Sequence, residues 1–282
     1  MKKGLVLEGG GMRGLFTAGV TDVLMENGIE FDGMVGVSAG AAFGCNIKSR
    51  QIGRAARYNI KYCKDPRYCS LRSLIKTGDL FGKEFCYYEL PQKLDIFDKE
   101  TFDNNPMEFH LVCTDVKTGK PVYKKCDRAD DECYEWICAS ASMPLVSNVV
   151  NVGGYSLLDG GISDSIPLKY FESIGYDKNV VILTQPKGYI KKKVSAFPLI
   201  KLALRKYPAI VKAMENRHEM YNGTTKYITE RQKSGEAFVI CPDAPLEISR
   251  VEHNPDKLLE VYNLGREKAK KELEKIKEFF GE

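Results

Sequence analysis

Short apolar runs separated by amphipathic stretches open the chain, a pattern typical of an α/β fold. Residues 4–7 and 34–37 are apolar and predict two buried strands. Between them, apolar side chains recur at helical spacing over residues 15–24, and Gly28 supplies a helix C-terminal signal. The chain therefore begins with strand, helix and strand, and we expect the two strands to be parallel neighbours in a mostly parallel central sheet.

The rest of the chain continues this alternation. Further strands are predicted over residues 109–114, near residue 122, over 180–184 and over 237–241, and a hairpin over 148–158. Further helices are predicted over residues 45–61, 127–142, 168–174 and 255–280. In the first of these, Arg50, Arg54 and Arg57 are predicted to form a solvated face. Residues 62–107 are broken by glycine and proline, and their aromatic side chains predict a cover packed on the sheet.

Length and charge narrow the picture. A chain of 282 residues is long enough for one large α/β domain or for two small ones. We treat residues 1–282 as one domain, with the catalytic motifs in residues 4–186 and a basic, helical part in residues 187–282. The net charge of +4 is mild, and no RNP-type or zinc-finger motif is present, so we expect no nucleic-acid partner. The sequence shows neither a signal peptide nor a run of about 18 apolar residues, and we expect a cytoplasmic protein.

The nine cysteines form no C-x-x-C pair, and we interpret them as reduced thiols, several of them buried. Cys126, Cys133 and Cys138 could hold a metal with one histidine, but their spacing fits no common zinc pattern. We therefore expect neither a metal nor a cofactor. His110 falls within a predicted strand, where a packed histidine is expected rather than a catalytic one.

The sequence Gly36-Val37-Ser38-Ala39-Gly40 joins a predicted strand to a predicted helix. A G-x-S-x-G motif in this context is a nucleophile elbow, a sharp turn that exposes the serine hydroxyl above the sheet. Side chains at positions 36 and 40 would collide with the neighbouring strand and helix. Ser38 is therefore the candidate nucleophile.

A second motif, Gly9-Gly10-Gly11-Met12-Arg13-Gly14, follows the first strand and opens the first helix. Its backbone N–H groups form an anion cradle, and those of Gly10, Gly11 and Met12 could face an oxyanion above Ser38, with Arg13 adding positive potential. The spacing also matches the G-x-G-x-x-G of dinucleotide-binding folds. That alternative needs an acid at the end of the second strand, where this chain has Ser38.

Asp159-Gly160-Gly161 follows the predicted hairpin, and Asp164 is a competing carboxylate in the same loop. Further along, residues 187–214 contain eight basic and no acidic residues among apolar ones. We favour a surface helix whose apolar stripe lies in the core. Peripheral contact with an anionic membrane is the alternative.

Taken together, the glycine loop, the serine elbow and Asp159-Gly160-Gly161 resemble the patatin-like phospholipase family, as does the block Ala139-Ser140-Ala141-Ser142-Met143-Pro144. The resemblance covers most of residues 4–186 and implies a three-layer α/β/α sandwich. It implies Ser38 as nucleophile, Asp159 as its catalytic partner, Gly9 to Gly14 as the oxyanion hole, Gly36 and Gly40 as the elbow glycines, and Gly160 and Gly161 as the aspartate turn.

The activity implied is hydrolysis of lipid or related acyl esters through an acyl-enzyme, without histidine. A Ser–His–Asp triad of Ser38, Asp159 and His253 is the alternative mechanism. In the α/β-hydrolase fold, however, several strands normally precede the nucleophile, and here one does.

Overall fold

The computed structural model describes residues 1–195 and 197–281. Its strands are β1 (Lys3–Leu7), β2 (Gly33–Val37), β3 (Glu108–Asp115), β4 (Pro121–Lys125), β5 (Val150–Val152), β6 (Tyr155–Asp159), β7 (Lys178–Ile182) and β8 (Ala237–Ile240). Its α-helices are α1 (Gly14–Glu26), α2 (Ala39–Lys48), α3 (Arg54–Tyr62), α4 (Leu71–Thr77), α5 (Lys99–Asn104), α6 (Asp131–Ser140), α7 (Leu168–Ser173), α8 (Phe197–Ala203), α9 (Pro208–Lys233) and α10 (Pro255–Phe280). A π-helix covers Phe85–Leu94, and 3-10 turns cover Gly11–Arg13 and Gly160–Ile162.

These strands form one sheet in the order β5-β6-β3-β2-β1-β7-β8, with β4 also paired to β3. Strands β3, β2, β1, β7 and β8 are parallel to one another, whereas β4 and β6 run antiparallel to β3. From β1 the chain adds β2 on one side and later β7 on the other. Such a switch point opens a crevice at the carboxyl ends of the strands, where α/β proteins bind their ligands.

Alternate residues of each central strand face two separate apolar layers. Leu5 and Leu7 of β1 pack in one cluster with side chains of α1, α2, α6 and α10. Val6 packs in the other cluster with side chains of α7 and α9, such as Phe171 and Tyr221. Burial on both faces explains why the parallel strands are apolar without a polar face. The α/β class and the three-layer arrangement are confirmed.

Two glycines bring α1 and α10 into close contact. A Cβ added at Gly19 would lie 2.0 Å from the Tyr262 carbonyl oxygen, and one added at Gly265 would lie 2.0 Å from the Phe16 carbonyl oxygen. The predicted long final helix is confirmed as α10, and it begins at an Asn254 cap and ends at Gly281 in the left-handed conformation. The predicted hairpin is also confirmed, with Gly153 and Gly154 at positive φ between β5 and β6.

The prediction of one helix over residues 45–61 is wrong. The segment breaks after Lys48, where Arg50 and Gly53 adopt positive φ, and α3 starts at Arg54. Arg54 is also not solvated. Its side chain is 4% exposed and forms an ion pair with Asp95 at 3.3 Å, whereas Arg50 and Arg57 are exposed as expected.

Two further helices differ in extent from the predictions. The helix predicted over residues 127–142 is the shorter α6, because the side chain of Asp130 caps it by accepting from the Cys133 N–H. The basic segment 187–214 contains α8 and the start of α9 rather than one helix. Ala196, within this segment, lies outside the described residues. None of the described helices combines the length and the apolar composition that a bilayer span needs.

Candidate active site

Ser38 is the residue at which β2 turns into α2. Its backbone φ of 55° and ψ of −121° are strained for a residue with a side chain, at a typical cost of about 1–3 kcal/mol. Flanking glycines permit the turn. A Cβ at Gly36 would lie 2.5 Å from the Gly40 carbonyl oxygen, and one at Gly40 would lie 2.6 Å from that of Leu7. The turn therefore requires glycine at both positions.

Ser140 holds this strained turn from the end of α6. Its hydroxyl accepts a hydrogen bond from the Ser38 N–H at 2.9 Å and donates to the Val112 carbonyl at 2.6 Å. The Ser140 side chain is fully buried. It therefore links the Ser38 turn to β3, a role that the sequence analysis did not assign to the Ala-Ser-Ala-Ser block.

Asp159 ends β6 and lies beside Ser38. The carboxylate is buried and accepts from the Gly161 N–H at 2.7 Å. The turn leaves room only for glycine after the aspartate, because a Cβ at Gly160 would lie 2.1 Å from the Val112 carbonyl oxygen. Burial raises the pKa of Asp159, while the Ser38 hydroxyl and the Arg217 guanidinium act to lower it.

The glycine loop lies directly against the elbow. A Cβ at Gly9 would come within 3.1 Å of the Ser38 Cβ. Gly11 needs its positive φ of 58°, and a Cβ there would lie 2.6 Å from the Arg250 carbonyl oxygen. In the described part of the chain, the N–H groups of Gly10 and Gly11 donate to no acceptor. These two groups are free to bind an oxyanion.

Two N–H groups of the loop are already occupied. That of Met12 donates to the Arg250 carbonyl at 3.1 Å, and that of Gly14 donates to the carbonyls of Gly11 and Met12. The expectation that the Met12 N–H faces an oxyanion is therefore wrong. Gly14 instead permits close packing, since a Cβ there would lie 2.9 Å from the Ala39 Cβ.

One charged side chain beside the loop, Glu8, was missed by the sequence analysis. Glu8 is buried at the end of β1 and accepts from the Thr184 N–H at 2.6 Å and the Tyr221 hydroxyl at 2.7 Å. Burial raises the pKa of Glu8 and lowers the pKa of its neighbour Arg13. A carboxylate directly after a buried strand and before the glycine loop was the available signal.

The competing groups lie elsewhere. Asp164 accepts from the Tyr123 hydroxyl at 2.9 Å, and the His253 Nδ1 lies 2.6 Å from the Cys63 carbonyl oxygen. His110 is packed between Tyr170 and Glu108, as expected for a strand histidine. The described structure brings neither Asp164 nor His253 into hydrogen-bonding contact with Ser38.

All nine cysteines are free thiols, and most are buried. Among the residues that the structure describes, no three His, Cys, Asp or Glu side chains are grouped so that they could hold a metal ion.

Two cavities meet at Ser38. The first has a volume of about 120 Å³ and an apolar wall that includes Phe43, Tyr87, Leu90 and Phe97. Much of this wall comes from residues 62–107, the predicted cover. The second has a volume of about 200 Å³ and is lined by the glycine loop, Asp159 and several basic side chains. An ester bound at Ser38 can therefore place an apolar half and a polar half on different sides.

Comparison with known families finds two matches. The model of the patatin-like phospholipase family matches residues 5–172, and that of a domain of unknown function, DUF6363, matches residues 207–281. Among solved structures, VipD from Legionella pneumophila aligns with 97% of this chain and 67% of that chain, at a TM-score of 0.47 and 12% identity.

Similar curated proteins cover different parts of the chain. It is 28% identical over 284 residues to the uncharacterized protein YjjU of Escherichia coli K12, which covers 93% of this chain and 74% of that protein. It is 27% identical over 188 residues to lysophospholipase nte1 of Aspergillus terreus, which covers 62% of this chain but 11% of the relative. It is 26% identical over 178 residues to the uncharacterized NTE family protein Mb1092c of Mycobacterium bovis, covering 63% of this chain and 48% of the relative.

Proposed function

We propose that this chain, which belongs to the patatin-like phospholipase family, is a serine hydrolase that cleaves carboxylic esters of lipids. The observation that carries the proposal is the placement of Ser38 beside the buried Asp159 carboxylate, whose pKa the Ser38 hydroxyl acts to lower, at the junction of an apolar and a polar cavity. The similarity to a protein named lysophospholipase supports a lipid ester as substrate.

Acylation begins when the Ser38 hydroxyl attacks the ester carbonyl and passes its proton to Asp159. A buried carboxylate is a stronger base than a solvated one, because burial raises its pKa. The negative charge that develops on the carbonyl oxygen is stabilised by the N–H groups of Gly10 and Gly11. Collapse of the tetrahedral intermediate expels the alcohol, which takes the proton from Asp159 and leaves Ser38 acylated.

Deacylation repeats these steps with water as the nucleophile. Asp159 removes a proton from water as the water oxygen attacks the acyl-enzyme, and the same N–H groups hold the oxyanion. Collapse of this intermediate breaks the bond to the Ser38 oxygen, which takes the proton back from Asp159, and releases the fatty acid. The apolar cavity retains the acyl chain throughout, because its aromatic wall excludes water from that side. No histidine is needed, and the His253 ring is engaged at Cys63 instead.

Labelling with a fluorophosphonate probe tests the nucleophile. The wild-type protein should be labelled and Ser38→Ala should not. Asp159→Asn should lose about 10²–10⁴-fold in the rate of labelling and of nitrophenyl ester turnover, the usual contribution of a general base. His253→Ala is the matched control and should keep full activity. An active Asp159→Asn enzyme together with an inactive His253→Ala enzyme would overturn the dyad in favour of a triad.

Dinucleotide or phosphate binding by the glycine loop is the rival function. The sheet order around β1 is compatible with it, because β2 and β7 flank β1 as in dinucleotide-binding folds. The place for a ribose-binding acid, however, is taken by Ser38. Saturable binding of NAD by a protein that the fluorophosphonate probe does not label would favour this rival function.

Contact with an anionic membrane through residues 187–214 is a further part of the proposal. In α8, Leu199 is 71% exposed and Leu202 is 62% exposed, beside the exposed cations Lys201 and Arg205. Exposed leucines next to lysine and arginine suit an anionic lipid surface. Sedimentation with vesicles of phosphatidylglycerol, but not phosphatidylcholine, is expected, and Leu199→Gln/Leu202→Gln should abolish it. Equal sedimentation of the wild type with both lipids, or sedimentation of neither the wild type nor the variant, would contradict this.

A further inference from the structure

The polar cavity beside Ser38 is lined by four cationic side chains. They are Arg13, Lys191, Arg217 and Arg250. Among the described residues of its lining, the carboxylates are Glu8 and Asp159. Four cations against two carboxylates leave a formal excess of two positive charges, which is larger when burial keeps a carboxyl protonated.

Glu8 attracts Arg13 and Asp159 attracts Arg217, but neither carboxylate is within ion-pair distance of these cations. Within residues 1–195 and 197–281, none of the four forms an ion pair with a carboxylate within 4.0 Å, although many surface lysines and arginines do. The Arg13 Nε is buried without a hydrogen-bond partner. Arg13, Lys191 and Arg217 are partly buried, and Arg250 is exposed. A buried guanidinium nitrogen without a partner, among cations that line one cavity, favours the binding of an anion there.

The cations also repel one another. Burial, together with the positive charges of Arg217, Arg250 and Arg13, lowers the pKa of Lys191 to about 8 against the opposing effect of Glu8. Burial likewise lowers the pKa of Arg217, which the Arg250 charge also lowers. These mutual effects show that the four side chains share one electrostatic environment.

Specific contacts hold two of these cations at the cavity. The Arg217 Nε donates to the Gly161 carbonyl at 2.5 Å, which fixes the guanidinium next to the aspartate turn. The Lys191 backbone exchanges hydrogen bonds with the Asn222 side chain at 2.8 and 3.0 Å. Its ammonium group lies 4.2 Å from the centre of the Tyr221 ring. Held side chains lose little freedom when an anion binds.

We infer that Arg13, Lys191, Arg217 and Arg250 form a subsite that binds a phosphate group on the alcohol half of the substrate ester. The inference rests on the proposed function, because the acyl half occupies the apolar cavity and the alcohol half must then lie in the polar one. Arginine and lysine are the side chains best suited to phosphate, through forked and point-charge contacts respectively.

This subsite gives the carboxyl-terminal part of the chain a role in substrate selection. Lys191, Arg217 and Arg250 all lie outside residues 5–172, which match the patatin-like family. Arg217 and Arg250 lie within residues 207–281, which match a domain of unknown function. The nucleophile and its base therefore come from one part of the chain, and the anion selectivity comes mainly from the other.

Paired soluble substrates test the subsite. The ratio of kcat/KM for 1-hexanoylglycerol 3-phosphate to that for 1-hexanoylglycerol should exceed about tenfold, the equivalent of one charge-assisted hydrogen bond. Lys191→Gln and Arg250→Gln should each lower the ratio by about tenfold. Lys192→Gln removes the same charge from the next residue, which does not line the cavity, and should leave the ratio unchanged. A ratio near one in the wild type, or a ratio unchanged in both cavity variants, would overturn the inference.

Inhibition by inorganic phosphate tests whether the subsite recognises a phosphate group on the substrate or only a free phosphate ion. It should inhibit hydrolysis of the neutral ester competitively, and less strongly in the two cavity variants. Inhibition by phosphate combined with no preference for the phosphorylated ester would show a site for free anions, and would refute the substrate claim. Equal inhibition of wild type and both variants would place the phosphate elsewhere and refute the subsite.

Binding to Ser38→Ala keeps this test independent of catalysis. Calorimetric titration of Ser38→Ala with glycerol 3-phosphate should show saturable binding that Arg250→Gln weakens in the same background. Binding by a protein that hydrolyses no ester would refute the proposed function and support the subsite. Hydrolysis without binding or substrate preference would support the proposed function and refute the subsite.

Discussion

Removal of the Ser140 hydroxyl tests whether a buried hydrogen bond holds the nucleophile in place. In Ser140→Ala the Ser38 N–H loses its acceptor, which lies at 2.9 Å in the folded protein. A buried backbone N–H without a partner costs about 1–3 kcal/mol of folding free energy. Because the mutation removes one oxygen from a fully buried site, we attribute the whole loss to the hydrogen bond rather than to a cavity.

The same change should reduce activity. The strained conformation of Ser38 stores about 1–3 kcal/mol, which is comparable to the energy of the anchor that would be lost. Without the anchor the turn can relax and move the hydroxyl away from Asp159. A displacement of about 1 Å can lower the rate of a positioned reaction by about a hundredfold. We therefore expect kcat to fall about 10- to 100-fold, with little change in KM.

Ser142→Ala is the matched control. Ser142 is also buried, but its hydroxyl donates to the Cys138 carbonyl, which already accepts from the Ala141 N–H. Its removal leaves no group unpaired and should cost less than about 1 kcal/mol. Urea unfolding measures stability, and kcat is referred to active sites counted with a fluorophosphonate. If Ser140→Ala and Ser142→Ala are equally stable and equally active, the reasoning fails.

Three further predictions follow from burial and sterics. Burial raises the pKa of Asp159, so between the pKa of the unfolded chain and that of the folded protein the folded protein still holds a proton that the unfolded chain has lost. The free energy of unfolding therefore falls as pH rises through this range. Asp159→Asn should therefore be more stable than wild type in urea at neutral pH and equal to it in acid below about pH 3, whereas a less stable variant at neutral pH would contradict the shift. Gly36→Ala should not accumulate as folded protein, because its Cβ would lie 2.5 Å from a backbone oxygen. Gly223→Ala is the control: its Cβ would meet nothing within 4 Å in an exposed part of α9, so it should raise the free energy of unfolding by up to about 1 kcal/mol in thermal unfolding. The apolar cavity of about 120 Å³ is smaller than a cavity of about 150 Å³ that holds benzene, so esters with acyl chains of four to six carbons should be cleaved faster than those of sixteen. Leu90→Ala should shift the optimum of a nitrophenyl ester series to longer chains. An unchanged optimum would show that this cavity does not hold the acyl group.

Local patterns determine much of this fold and could be predicted from the sequence. The Gly36-x-Ser38-x-Gly40 turn follows from short-range sterics, which act between residues close in the chain. The β5–β6 hairpin and the ends of α10 follow from glycine and asparagine positions in the same way. The parallel order of β1 and β2 follows from the strand–helix–strand pattern.

Contacts between distant residues could not be predicted. Arg54 is buried because Asp95 and two aromatic rings receive its guanidinium, and charge patterning within its own helix carries no sign of this. Lys191 belongs to a basic run that resembles a solvated surface, and Arg217 follows that run, yet both line the cavity. Arg217 reaches it from α9, and Lys191 is held by Asn222 of the same helix. The loss of the Met12 N–H to Arg250 likewise depends on a partner far along the chain.

The close contact of Gly19 with α10 has a consequence for the order in which the protein matures on the ribosome. The first helix, whose start carries the glycine loop, is buried along most of its length, and α10 forms part of its cover. A nascent chain that has emerged only as far as Arg250 still lacks this cover, so the loop at its beginning cannot yet be held rigidly. Activity should therefore appear only after the final helix has left the exit tunnel, even though Ser38 and Asp159 emerge much earlier.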